Sequence, residues 1–301
     1  MGGWLPPGRW RRAPGFQSRP AGSTPVAPAS GRRVRFRLTI EYAGTRYSGW
    51  QIQLNARTVQ GEIERAIAAT VGDAPFEIAA SGRTDAGVHA LAQVAHLDLA
   101  TTLPTETLCR RINEALPSDI VLLSAESTSS RFHARHDAVA RAYLYQVARR
   151  RTAFAKAQVW WVKEALDLAR MRTAAEHLVG FHDFHAFTDD DRATKSTQVK
   201  LDRLDLVEDG DLLLFHVEGS HFLWKMVRRL VGILVEVGRG GLSPKDVEAL
   251  LSPSATGDVP ARLTAPASGL FLARVYYPGE ARAAIRGVTN VHRAEARTSR
   301  V

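Results

Sequence analysis

A single cysteine, Cys109, stands among 301 residues, which excludes an internal disulfide and any zinc site assembled from several cysteines. Leu108 and Ile112 share one face of a predicted helix around it, so the thiol reads as packed or idle rather than nucleophilic. No predicted strand is followed by a Gly-x-Gly-x-x-Gly or Walker pattern, so no dinucleotide, S-adenosylmethionine or ATP site is expected, and no cofactor. The ten histidines are scattered, without metal-ligand spacing to Cys109 or to carboxylates. His177, His182 and His185 come nearest to a cluster and read as solvated or internally satisfied; no metal is expected. Apolar runs of membrane length are missing too. The longest candidate, residues 222–237, is interrupted by Lys225, Arg228, Arg229 and Glu236 and reads as a soluble amphipathic helix, not a membrane span.

What remains is an ordinary globular composition, 45% apolar and 24% charged, long enough for two modest domains or one large one. The net charge of +9 is not spread evenly. Residues 1–33 carry +6 with no acid and residues 281–301 carry +4, which leaves the chain between them at −1. A basic groove in that central part has to come from segregating charge between faces. The tails add sequence-independent attraction to phosphates that fades with salt. The first stretch is also dense in Pro, Gly and Ser, a composition shared with some organellar transit peptides, but its prolines oppose the amphipathic helix such a signal needs. It is read as a disordered extension, or an artefact of start-codon choice, on a cytoplasmic protein.

Order is predicted from Val34. Residues 35–42 alternate polar and apolar as a half-buried strand does. Residues 43–51 follow as a loop with two aromatics and two glycines, in which Trp50 is either core or, as its loop location favours, a contact or packing residue at a cleft. Val59, Ile63, Ile67 and Val71 recur at helical spacing. Residues 76–80 and 92–99 read as strands, 105–116 as a helix closed by Pro117, and 120–123 as a strand. In the second half, residues 142–147 form a strand, and Asp167 caps a helix that Gly180 is expected to end in a left-handed turn. Residues 200–208 and 211–218 form a hairpin around Asp209-Gly210. A helix over 222–237 stops at residues 238–241, and residues 271–277 make the last strand. Strands joined by hairpins and interleaved with helices give an α+β class: two halves with largely antiparallel sheets and helices packed outside, residues 34–128 and 129–280, flanked by the extension over 1–33 and the tail over 281–301.

The most informative stretch is residues 81–90, Ser-Gly-Arg-Thr-Asp-Ala-Gly-Val-His-Ala, directly after the strand 76–80. It sets one carboxylate, Asp85, in a glycine-flanked turn with Arg83 two residues before and His89 four after. An Asp in such a turn often bonds only its own backbone, yet a plain turn needs neither Arg83 nor His89. This decapeptide resembles the active-site motif of the TruA family of tRNA pseudouridine synthases. The segment Arg131-Phe132-His133-Ala134-Arg135 with Arg141-Ala142-Tyr143-Leu144-Tyr145 is similar to that family's second motif, residues 222–229 to its third and residues 265–272 to its closing motif. Together they span residues 34–278 in family order and spacing.

The resemblance implies two similar halves with the active site in a cleft between them, and a cofactor-independent isomerisation of uridine to pseudouridine at tRNA positions 38, 39 and 40 in the anticodon stem–loop. It implies Asp85 as the nucleophile and Arg83 as the residue that helps open the stem. Tyr143 would stack on the target base and share in proton transfer, and Arg228 would pair with Asp85. It also implies a homodimer whose tRNA spans both subunits. The residues alone leave alternatives open. Tyr143 alternates with Tyr145 on one strand face, which suits packing as well as catalysis. Arg228 and Arg229 could be the wet face of a helix whose buried stripe is Met226, Leu230 and Ile233. One departure from the family pattern stands out: His136 occupies the position where an aromatic, commonly Phe, is expected. A synthase of the same fold acting on another RNA, or on another uridine in tRNA, stays open; a non-catalytic RNA-binding module or chaperone would tolerate loss of Asp85, and the intact Arg83-Thr84-Asp85 run counts against it. A carboxylate hydrolase is disfavoured, because no second acid is spaced to partner Asp85.

Overall fold

Alternation along β1 (Arg33–Tyr42) puts Phe36, Leu38, Ile40 and Tyr42 in the core and leaves Arg35 and Arg37 on the other face. The computed structural model describes residues 33–191, 194–252, 254–255, 258–282 and 286–289. Apart from Arg33, the extension expected over residues 1–33 lies outside them, as does most of the expected tail. The other strands are β2 (Phe76–Ala80), β3 (His89–Ala100), β4 (Ile120–Thr128), β5 (Ala140–Ala148), β6 (Trp160–Trp161), β7 (Gly180–Asp183), β8 (Gln198–Asp209), β9 (Leu212–Gly219) and β10 (Leu270–Tyr276). They build one ten-stranded sheet in the order β4-β1-β3-β10-β5-β9-β8-β7, with β2 beside β3 and β6 beside β5. Pairing is antiparallel except at β10–β3 and β5–β6. The expected α+β class with a largely antiparallel sheet is what the chain adopts.

The two halves meet at β10, which runs between β3 and β5. Helices α1 (Val59–Val71) and α2 (Thr105–Ala115) bury Val59, Ile63, Ile67, Leu108 and Ile112 in a core with β1 and β3. Helices α3 (Leu168–Leu178) and α4 (Met226–Arg239) bury Met171, Leu178, Leu230, Ile233 and Leu234 against Tyr145, Phe215 and Val217 of β5 and β9. Each fully buried aliphatic side chain contributes about 1.5–3 kcal/mol. Short helices α5 (Pro244–Ala249) and α6 (Val259–Arg262) follow α4. Cys109 is half-buried, its sulfur 3.5 Å from the Leu122 carbonyl, and burial pushes its thiol up, in keeping with a packing role.

The ends of α3 and α4 differ from the sequence reading, and β3 and β4 run longer than the expected 92–99 and 120–123. The helix expected from Phe222 begins at Met226, because Lys225 adopts a left-handed backbone at φ 62° that no helical ladder accepts. It runs on through Gly238 and Arg239 to end at Gly240, whose φ is 87°. Helix α3 ends at Val179 in extended conformation, and Gly180, at φ 121°, opens β7 instead of capping the helix. Inside α4, Gly232 is required by close approach: a Cβ there would lie 1.7 Å from the Leu263 carbonyl oxygen, so the chain leading to residue 265 lies directly on the helix backbone.

Candidate active site

Strand β3 has two different neighbours along one edge. β2 pairs with it from Ala95 to Leu99, and β10 pairs with it at His89 and Ala90. Residues 81–88 cross the interval between these neighbours, which places the loop at the junction of the two halves. The Ser81 amide donates to the Val94 carbonyl (2.7 Å), the Ser81 hydroxyl to Gln93 Oε1 (2.7 Å), and Gln93 Nε2 to the Gly82 carbonyl (3.0 Å). Thr84 is buried and its hydroxyl meets the Tyr42 hydroxyl at 2.8 Å. With Ser81 and Thr84 turned inward, Arg83 is exposed and Asp85 half-buried.

Residues 43–51 clamp this loop from outside. The Trp50 amide donates to the Thr84 carbonyl (3.0 Å) and the Gly87 amide to the Tyr47 carbonyl (3.2 Å). Gly49 sits at φ 90° where a Cβ would be 2.6 Å from the Thr84 oxygen, so only glycine fits this approach. Trp50 is buried against Tyr42, so of its two sequence readings the packed one holds. His89 is also structural. Its Nδ1 accepts from the Gly44 amide (3.1 Å), its Nε2 faces the Ala157 carbonyl (2.9 Å), and the ring stacks on Phe271. Those contacts fix the neutral Nε2–H tautomer, and burial holds the group below its ordinary value.

Asp85 and Arg228 are brought together: Oδ2 lies 3.7 Å from Nη1, and the side chains are 29% and 18% exposed. Arg228 is aimed by its own hydrogen bonds. Its Nε donates to the Ala265 carbonyl (2.7 Å) and its carbonyl accepts the Ala265 amide (3.1 Å), a reciprocal tie between α4 and the segment that leads into β10. Neither arginine is a wet helix face. Arg229 is buried and pairs with Asp189, which Lys225 also reaches at 2.9 Å, while Asp190 accepts the Trp224 amide at 3.2 Å. The start of α4 is thereby held from both sides.

Tyr143 on β5 is half-buried and packs against both hydrophobic cores, with its ring edge-on to Phe222 at 5.0 Å. Burial pushes its hydroxyl up to about 12; Arg141 opposes the rise and the Asp85 charge adds to it. The phenol is therefore protonated at neutral pH and within reach of the Asp85 field. Tyr145 shares the strand face but is fully buried, its hydroxyl donating to the Pro266 carbonyl at 2.8 Å. The strand face thus carries one packed tyrosine and one at the seam of the cores.

Sequence reading gave no role to Arg141. Its guanidinium donates to the carbonyls of Ala138 (3.1 Å), Ser220 (2.9 Å), Ser81 (3.3 Å) and Arg135 (2.9 Å), which joins the Asp85 loop to the 135–138 turn and to the end of β9. Burial pulls it below the usual arginine value, with Tyr143 partly opposing. The signal available beforehand was a lone charge on an otherwise apolar strand, Ala140–Ala148. Arg141→Met leaves buried carbonyls unpaired and is expected to lower stability by about 3 kcal/mol. Arg141→Lys, which lacks the planar fork, is expected to recover less than half of that. Denaturant titration of the two variants checks the ranking.

Burial also depresses His96, His133, His216 and His221. The unfolded chain protonates near pH 6.5 and the folded chain only at lower pH, so stability present above about pH 6.5 is lost as pH falls through the folded values. Unfolding midpoints are expected to decline between pH 6.5 and 5, before carboxylates titrate. A flat profile over that range would show these imidazoles to be solvated.

Beside the Asp85 loop lies an open groove of about 330 Å³ lined by Trp50, Gln51, Gln60, Gly82, Arg83, His133, Arg135 and His136, among others. Arg83 therefore lines this groove rather than joining the Asp85–Arg228 pair. Among the described residues no helix is long and apolar enough to cross a membrane.

A mostly antiparallel sheet joining two helix-backed halves, with an aspartate loop at their junction, places the chain in the pseudouridine synthase fold class. A family model described as tRNA pseudouridine synthase matches residues 38–137 and 174–278. Proteins named tRNA pseudouridine synthase A are similar over most of their length. That of Geotalea uraniireducens is 42% identical over 246 residues, covering 81% of this chain and 99% of its own. That of Geobacter sulfurreducens is 41% identical over 243 residues (80% and 98%), and that of Rhodopseudomonas palustris 43% over 249 (81% and 99%). The chain belongs to the tRNA pseudouridine synthase family, isomerases that convert uridine to pseudouridine in tRNA.

Proposed function

We propose that this chain isomerises uridines at positions 38, 39 and 40 of the tRNA anticodon stem–loop, with Asp85 as the nucleophile. The observation that carries the reading is the half-buried Asp85–Arg228 pair at the junction of the halves, 3.7 Å apart, with Tyr143 at the same seam. The reaction breaks the N1–C1′ bond and forms C5–C1′, so the base leaves through one atom and returns through another. The C5 proton is lost and N1 ends protonated, which needs neither an oxidant nor an energy donor. The Asp85 carboxylate attacks the uridine at C6 of the base or at C1′ of the ribose, and Arg228, facing it at 3.7 Å, aims it.

Each target base must leave its stack, at a cost of a few kcal/mol that aromatic and cationic side chains offset. Tyr143, protonated and edge-packed on Phe222, presents a ring and a hydroxyl to the flipped base. Arg83, exposed on the same loop as Asp85, supports the opened strand. The protein acts in the cytoplasm as a homodimer, with one tRNA spanning both subunits.

The test compares unmodified tRNA with the same tRNA carrying cytidine at positions 38–40. Base-resolved mapping is expected to find pseudouridine in the first and none in the second. Pseudouridine at other sites in both would retain the chemistry and overturn the substrate assignment.

A further inference from the structure

His136, the one departure from the family motifs, stands at the rim of the groove beside the Asp85 loop. It is exposed, and its ring meets that of His133 at a 49° tilt with centroids 4.2 Å apart, while His133 meets His96 at 58° and 4.7 Å. The cluster is fixed from within. His133 Nδ1 accepts the amides of Arg135 (3.2 Å) and His136 (3.3 Å), Asp137 accepts the His133 amide (2.8 Å), and His96 Nδ1 accepts the Ala134 amide (3.2 Å). Both Nδ1 atoms therefore act as acceptors, and the turn that carries His136 is locked to the sheet.

The groove is lined by no carboxylate. Arg83 and Arg135 both line it, and among the described residues neither has an ion-pair partner. Arg141 ties together the two segments that carry them, because one of its nitrogens donates to Ser81 on the Asp85 loop and to Arg135 on the turn. Two unpartnered guanidinium groups beside an exposed, supported ring suit a ligand with a phosphate and a planar base. In a chain that acts on RNA, that ligand is a nucleotide.

We infer that this groove seats the nucleotide adjoining the target uridine, with its phosphate between Arg83 and Arg135 and its base stacked on the open face of His136. The inference rests on the pseudouridylation reading above and assigns a binding role to a residue outside the reacting centre. Its consequence is a grip on the strand that holds the target base out of its stack. Stacking on a ring tolerates any base, so the seat tightens binding without selecting sequence.

The test uses release of the C5 hydrogen from [5-³H]uridine-labelled tRNA to measure kcat and KM for wild type and for His136→Ala, His136→Gln and His136→Phe, with melting temperatures in parallel. His136→Ala and His136→Gln are expected to raise KM about tenfold with kcat within about twofold, and His136→Phe to restore KM to within about twofold. Melting temperatures are expected to stay unchanged, which separates a binding role from a structural one. Wild-type KM in all three variants, or a fall in kcat that tracks a fall in melting temperature, would overturn the seat and leave the pseudouridylation reading standing. Wild-type protein that releases no tritium from any tRNA would overturn both.

Discussion

Asp85→Asn is expected to lower pseudouridine formation more than about 10³-fold while changing tRNA affinity by no more than a few-fold. Asn matches Asp in shape but carries no charge and is no nucleophile, and removing a nucleophile costs rates of this order or more. Affinity survives because phosphate and stacking contacts from many residues dominate binding to nucleic acid. Fold survives as well. Asp85 is half-buried, the loop around it is held by Ser81, Thr84 and Gly87, and its ion pair to Arg228 is 3.7 Å long. The melting temperature is expected to match wild type. Single-turnover kinetics with a filter-binding titration separates the two effects, and substantial turnover by the variant would remove Asp85 from the nucleophile's role.

Arg228→Ala is expected to lower activity about 10²-fold and stability by about 1–2 kcal/mol. A fully buried ion pair broken on one side costs more, about 3–5 kcal/mol, but this pair is 18% and 29% exposed and long, so solvent absorbs part of the loss. Activity suffers more than stability because Arg228 does two jobs with one guanidinium: Nε holds the Ala265 carbonyl while Nη1 faces Asp85. Small misplacement of a reacting group is enough to cost two orders of magnitude. Arg228→Lys keeps the charge but loses the fork that serves both partners, and is expected to rescue less than a tenth of the lost rate. Its kcat, measured beside its denaturation midpoint, tests whether aim or charge is what Asp85 needs. Wild-type kcat for Arg228→Lys would reduce the arginine to a counter-charge.

Most elements were legible because local chemistry and tertiary context agree. Alternation along residues 35–42, the apolar spacing of Val59, Ile63 and Ile67 and the Asp167 cap each have one sensible structure, and each adopted it; the expected hairpin forms too, its loop one residue later at Gly210-Asp211. The start of α4 was not legible, since Phe222-Leu223-Trp224 continues the apolar pattern of the helix and only the Lys225 backbone breaks it. Arg229 was equally hidden: its burial depends on Asp189, forty residues upstream, in a loop whose position no periodicity reveals. Residues 43–51 left Trp50 open between core and cleft contact because glycines and aromatics serve either purpose; their hydrogen bonds to Thr84 and Gly87 make them the clamp on the aspartate loop. Arg141 was missed because its partners are carbonyls, which every residue carries. Of the four residues the motifs singled out, Asp85, Arg228 and Tyr143 converge at the seam of the cores, while Arg83 faces the adjoining groove.

Asp85 as the nucleophile at positions 38–40 is tested most directly by base-resolved pseudouridine mapping of unmodified tRNA after incubation, without added cofactor, with wild-type protein and with Asp85→Asn side by side. Pseudouridine at positions 38–40 with wild type and none with the variant, at equal tRNA binding, is the expected result. The same positions modified by both proteins, or by neither, would contradict it.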